Sequence, residues 1–396
     1  MQSQITMLKT FIHGLLFLNC IGTAQATPYV PASPDTVLEK LPNNSSVASK
    51  EFITLRAKLN TDPQNIGLAV KLAKLYIERS REEGDPRYLG YAQAALGPWW
   101  KLAEPPVEIL VMRATLLQST HHFDQSLLDL NAVLRKDRKN GQAWITRSTI
   151  LQVQGEYAKA LQSCEQLYPL ATKLITTTCV TNIRNLSGQA EQSYQKLKTA
   201  YAESGETNAD IQVWVLTLLA EMANRLGDNL AAEKYFQQAI KIEDPDSYLL
   251  GSYSDFLLDQ HHPQEVIKLL SAKTRIDALL LRYAEALKAA NFKEAGIQVD
   301  ALRQRFSAAM MRGDTVHQRE QSRFELRLMK NPIRAMEIAK LNWQVQKEPA
   351  DARVYLEAAV AANDQPAISA MTHWIEKNHQ QDVILEKIMM SYKGKS

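Results

Sequence analysis

The sequence predicts an all-α solenoid built from antiparallel helix pairs stacked in register. Two observations carry this expectation. Strong helix formers dominate, while Gly and Pro number only 15 each in 396 residues, too few for an all-β chain with many turns. Large and small apolar residues also return every 34 residues, the period of a repeated helix–turn–helix unit. A chain of this length exceeds what one compact core usually serves, and growth along one axis meets that constraint. Charge is nearly balanced, with 46 basic and 43 acidic residues, a formal net charge of +3 and no long run of one sign. A nucleic-acid partner needs clustered Lys and Arg and is not expected.

Residues 1–26 read as a cleavable export signal. Lys9 is their one charged residue, an apolar run follows from Phe11 to Ile21, and Ala24-Gln25-Ala26 supplies a small-x-small cleavage site. The run is short for a membrane span, and no other stretch reaches the roughly 20 apolar residues a bilayer requires. A retained anchor is the alternative. Lipid attachment at Cys20 would need a small residue where Asn19 stands. Cleavage after Ala26 makes the mature chain periplasmic or secreted in a bacterium, with no stable membrane span. Residues 27–47 form a flexible lead-in rich in Pro, Asn and Ser, where Pro28, Pro31, Pro34 and Pro42 oppose helix.

Helical repeats are expected over 48–315, with divergent copies and a tail over 316–396. Gly155 marks the turn of one unit, in Gln154-Gly155-Glu156-Tyr157-Ala158-Lys159-Ala160. A step of 34 back from this unit meets Leu110, His121, Phe123, Ser126 and Leu130. Gly227 marks another, with Leu219, Ala220, Ala232 and Phe236 around it, and 34 residues on stand Tyr253, Ser254, Val266 and Leu270. The small member of each large–small pair lets the second helix approach. Gly at the turn takes a positive φ cheaply. Asp244-Pro245 is expected to end one pair and open the next, since Pro is tolerated in a first helical turn.

The units at 107–140, 141–173, 213–246 and 247–275 resemble tetratricopeptide repeats. Weaker copies lie at 66–106, 174–212, 276–315, 316–350 and 351–384, and residues 48–63 look like a lone second helix capping the stack. This resemblance implies a right-handed solenoid and a protein-binding role, but names no partner. The stretch from His317 to Ala359, with Asn342-Trp343 and Glu348-Pro349-Ala350-Asp351, is similar to the C-terminal part of uncharacterised exported proteobacterial repeat proteins.

Motifs for phosphate loops, zinc proteases and serine hydrolases are missing from the sequence, so no catalytic residue, metal ligand or cofactor is assigned. His121-His122 and His261-His262 occupy equivalent turn positions and read as polar turn residues. Cys164 falls late in one second helix and Cys179 in the next first helix, so they can form a disulfide stapling two repeats, or stand as two buried thiols. Trp144, Tyr157, Trp214, Phe236 and Tyr253 recur at core positions, and Trp99-Trp100 either covers the stack's apolar edge or makes an exposed contact.

The functional surface is expected on the inner face lined by first helices. The repeat pattern projects Glu108, Val111, Thr115, Gln142, Ile145, Thr149, Gln152, Thr217, Glu221, Asn224, Tyr248, Asp255 and Asp259 onto it. Its acidic stretch over 221–259 suits a protein or peptide segment with some positive charge. The expected function is a non-catalytic exported scaffold holding such a segment. The alternatives are an architectural subunit of a cell-envelope complex or an accessory protein for a small molecule or metal.

Overall fold

The computed structural model describes residues 47–393; the expected signal, Cys20 and almost all of the lead-in lie outside them. The chain divides into two units, Met1–Glu51 and Phe52–Ser396. Only the second is described in any length.

The described residues are helical throughout, with no strand. A single helix, α1 (Val47–Thr61), comes first. Pairs follow: α2 (Ile66–Glu83) with α3 (Arg87–Ala95), a short α4 (Gly97–Trp100), then α5 (Val107–Ser119) with α6 (Phe123–Lys136) and α7 (Gly141–Val153) with α8 (Tyr157–Glu165). The middle holds α9 (Lys173–Asn185) with α10 (Ala190–Ser204), α11 (Ala209–Leu226) with α12 (Asn229–Ala239), and α13 (Ser247–Asp259) with α14 (Pro263–Leu270). The late pairs are α15 (Asp277–Ala289) with α16 (Ala295–Met311), α17 (Gln318–Arg327) with α18 (Pro332–Val345), and α19 (Pro349–Ala362) with α20 (Gln365–Lys377), and α21 (Val383–Lys393) closes the series. The fold is an all-α solenoid of successive helix pairs.

Asparagine and aspartate set where the first helices begin. Asn65, Asn140, Asn208 and Asp246 each accept a hydrogen bond from the backbone N–H three residues on, satisfying a donor that the helix leaves orphaned. Asn208 thereby starts α11 ahead of the expected unit boundary at 213. The expectation for Pro245 is corrected, because Asp246 caps α13 and Pro245 stands outside the helix.

Small residues let paired helices close. Ala114, Ser148, Ala220 and Ser254 are buried on their first helices. At this closeness a hydroxyl spans the pair: Ser126 Oγ donates to Ala114 O at 2.7 Å, Ser148 Oγ to Ala160 O at 3.0 Å and Ser322 Oγ to Ala335 O at 2.8 Å. Large rings fill the space beyond. Phe236 is 1% exposed and stacks on Tyr253 at 5.2 Å. Tyr157 and Trp99 are buried too, so Trp99 covers core, while Trp144 and Trp214 are half-buried against their clusters.

Gly155 and Gly227 turn with φ of 76° and 84°. His121 and His261 stand at the equivalent turns and adopt φ of 59° and 60°. The local backbone is the same, and histidine bears a cost that glycine does not.

The late pairs pack back against the turns of the early ones. Lys347 N donates to Val153 O at 2.7 Å, Gln380 Nε2 to the Tyr157 hydroxyl at 3.0 Å, and Ala190 N to Gln381 Oε1 at 3.0 Å. A Cβ added at Gly155 would overlap the Trp374 ring, so glycine is required there for close approach as well as for its φ.

Candidate functional site

The inner face of α11 and α13 looks across a chamber of about 350 Å³ toward α17 and α19. Helix spacing builds its far wall, since Arg319, Arg323 and Arg327 recur every four residues and share one face of α17. Arg353 adds a fourth guanidinium from α19.

These cations take the acids of the early wall. Asp255 receives Arg282 through Nε at 2.9 Å and Nη2 at 2.6 Å, and also Arg323 Nη1 at 2.6 Å. Arg323 turns its other edge to Glu285, at 2.8 and 2.7 Å. Arg353 grips Asp259 with both terminal nitrogens, at 2.6 and 2.7 Å, and donates Nε to Glu357 at 2.8 Å. Arg327 binds Glu357 at 2.9 and 2.8 Å. Fork-to-fork pairs of this kind are the strong form of the ion pair.

The electrostatics follow from these contacts. Burial pushes Asp255 up, but Arg282 and Arg323 outweigh it and hold the carboxyl far below the carboxylate range. Burial likewise raises Glu357, and Arg327 and Arg353 bring it down to about 2. Glu348 and Asp351 behave oppositely. Burial raises both, and they share Arg319 with Glu320. Asp255 and Glu357 stay ionised near neutrality and act as fixed charges, not as proton carriers.

The sequence-projected residues divide into two groups. Gln152, Glu221, Asn224, Tyr248, Asp255 and Asp259 all line the chamber. Tyr248 donates to Glu221 at 2.8 Å and is 55% exposed. Glu108, Val111, Thr115, Gln142, Ile145 and Thr149 lie on α5 and α7, away from the chamber lining; Glu108 and Gln142 are exposed and the others half-buried. Thr217 is corrected: it is 4% exposed and donates to Val213 O, so it offers nothing to an open wall. Cys164 and Cys179 are bonded to each other, so the two-thiol alternative is corrected as well.

Sequence reasoning missed the arginines and their second carboxylates, Glu285 and Glu357. The Arg319–Arg323–Arg327 spacing was a usable signal, for three cations on one helix face need partners.

The histidine pairs separate in the structure. His122 is exposed, whereas His121 reaches the late repeats, with Nδ1 3.2 Å from Gln346 Nε2. Burial, then the charge of Arg319, lowers its pKa to about 4. A folded pKa below the unfolded value near 6.5 means that acid protonates the unfolded chain first, so this residue's contribution is lost as pH falls from about 6.5 toward 4. His121→Asn keeps a residue tolerant of positive φ and removes the titration. The expected result is a smaller difference in urea midpoint between pH 7 and pH 4.5 in the variant than in wild type; equal differences would show that His121 titrates freely.

No protein-family model and no curated protein matches the chain. Solved structures similar to it include a tetratricopeptide repeat protein from Parabacteroides merdae ATCC 43184, 15% identical, covering 65% of this chain and 91% of that one with a TM-score of 0.43. The yeast Tom70 structure is 11% identical over 87% of this chain and 95% of that one, with a TM-score of 0.29. The P58(IPK) TPR domain is 13% identical over 87% and 97%, with a TM-score of 0.20. Likenesses this loose carry nothing about partners, and the all-α solenoid of paired helices rests on the packing described above.

Proposed function

We propose that the protein is an exported, non-catalytic scaffold that engages a protein partner. The observation that carries this reading is the engaged inner wall. Asp255 and Asp259 hold guanidinium groups from helices 68 and 94 residues later in the chain, which makes the inner face of the first helices a working reader of cationic helix side chains. That reader is turned inward on the late repeats, so the repeats form one braced body and the acidic stretch is already occupied. A partner is then held on the faces the brace leaves free, including the α5 and α7 wall at Glu108, Val111, Gln142 and Ile145. The Cys164–Cys179 bridge supports export, because disulfides persist in oxidising compartments. No helix among the described residues is long and apolar enough to cross a membrane.

The test is affinity capture from a bacterial envelope extract, using the folded, oxidised mature chain. Recovery of one specific partner in stoichiometric amount is expected. If folded protein with its bridge intact captures nothing specific, the scaffold reading is lost.

A further inference from the structure

A second surface carries an inference of its own. An open groove of about 690 Å³ is formed by α6, α7 and α8 and shares no lining residue with the chamber. Arg135, Arg138 and Arg147 line it with Trp144, Gln162 and Gln166, and no carboxylate is part of the lining. Among the described residues none of these three arginines makes an ion pair with an acid, so the groove is cationic and unneutralised.

The repeat supplies a template for what is missing. One unit earlier, Arg113 grips Asp129 through Nε and Nη2, both at 2.7 Å. Thirty-four residues on, the arginine returns as Arg147, but the acid's position is Ser163. Arg147 donates Nη1 to the Ser163 hydroxyl and Nε to Asn131 Oδ1 at 3.2 Å, and its guanidinium sits 5.9 Å from the centre of the Trp144 ring. It is half-buried with neutral partners alone. A guanidinium taken partly out of water without a counter-charge is costly to keep, and a carboxylate is the partner its planar fork fits.

We infer that this groove docks an acidic polypeptide segment, with an Asp or Glu side chain of the partner occupying at Arg147 the place that Asp129 fills at Arg113. Arg135 and Arg138 at the rim draw in further acidic residues, and Gln162 and Gln166 offer amides to the segment's backbone. Three arginines in a short groove fall well below the run of cations that a nucleic-acid backbone engages. This inference rests on the scaffold reading and adds the chemistry of the partner.

The experiment titrates the full mature chain with a short Glu/Ala peptide blocked at both ends, and with its Gln/Ala counterpart, by calorimetry. The Glu peptide is expected to bind and the Gln peptide not. Arg147→Gln should weaken binding about tenfold, the worth of one charge-assisted contact. Ser163→Asp should weaken it as much by closing the site from within, with an undiminished thermal midpoint. Where Ser163→Asp fails to fold, Arg135→Glu with Arg138→Glu serves as the second variant. Equal affinity for the Glu peptide in wild type and in folded Arg147→Gln overturns the inference, as does free glutarate or an oligothymidylate binding at Arg147 in place of the peptide. An envelope partner captured equally by wild type and folded Ser163→Asp would remove this groove and leave the scaffold reading standing. Peptide binding without any captured partner would keep the groove and remove that reading.

Discussion

Replacing Arg323 with Met is expected to destabilise the fold by about 3–5 kcal/mol, the usual cost of removing one partner from a buried ion pair. Arg323 is 6% exposed and its partner Glu285 8%. Without the guanidinium, Glu285 keeps only Arg327, at 3.4 Å, and Asp255 keeps Arg282. The cost therefore falls chiefly on Glu285. A second change, Glu285→Gln, should return part of the loss, because a neutral amide costs less to bury unpaired than a carboxylate. Urea unfolding of the wild type, both single variants and the double variant closes the cycle. A loss below about 1 kcal/mol in Arg323→Met would put the pair in the class of exposed bridges and remove the brace. Hydrogen exchange adds a spatial readout: the amides of Gly155, which lies beside Lys347 and Trp374, and of its neighbour Glu156 should lose protection if the late repeats loosen from the early ones.

Acid should act on the same brace in a definite order. Glu357, held at about 2, and the depressed Asp255 and Glu285 contribute stability above the ordinary carboxylate range. That contribution is lost as pH falls below about 4, when the unfolded carboxyls protonate first. Glu348 and Asp351 are raised, so they take protons earlier in the folded state, and mild acid stabilises through them.

The repeat was legible in the sequence because it is local. Each helix pair needs small residues at Ala114, Ser148, Ala220 or Ser254 and a turn at Gly155 or Gly227, and these sit within one period of each other. Half of the candidate wall was legible for the same reason, since Asp255, Asp259, Glu221 and Tyr248 follow from the register of first helices. The brace was not. Curvature accumulates over many pairs, and nothing in a 34-residue pattern says that Arg353 will meet Asp259 or that Trp374 will lie on Gly155. The partners of the acids and arginines of α17 and α19 lie far away in the chain, outside any one period. His121 was hidden differently: histidine at a positive φ is uncommon, and the shared backbone was visible only through its alignment with Gly155.

Removing the Cys164–Cys179 bridge is expected to cost about 3 kcal/mol, the entropy that a closed loop of this length takes from the unfolded chain. The bridge joins α8 to α9 across the boundary between two pairs, where a solenoid depends on contacts between neighbours. Its loss weakens one joint in the middle of the stack, so unfolding should become less cooperative as well as easier, with segments on either side of residue 170 losing structure at different urea concentrations. Cys164→Ala with Cys179→Ala is the cleaner variant, since alanine leaves no unpaired hydroxyl in a buried site. Cys164 is 0% exposed and Cys179 8%, and the Ser148 hydroxyl packs 3.0 Å from the Cys164 sulfur. A thiolate reductant must reach a sulfur to attack it, so reduction has to wait for this joint to open. The reduction rate in dithiothreitol should therefore rise with urea well below the unfolding midpoint, in step with exchange of amides in α8 and α9. Fast reduction in the absence of urea would show that this joint already opens in the native state, whereas an unchanged midpoint in the alanine pair would show that the interface holds without its covalent staple and that packing alone joins the two halves of the stack.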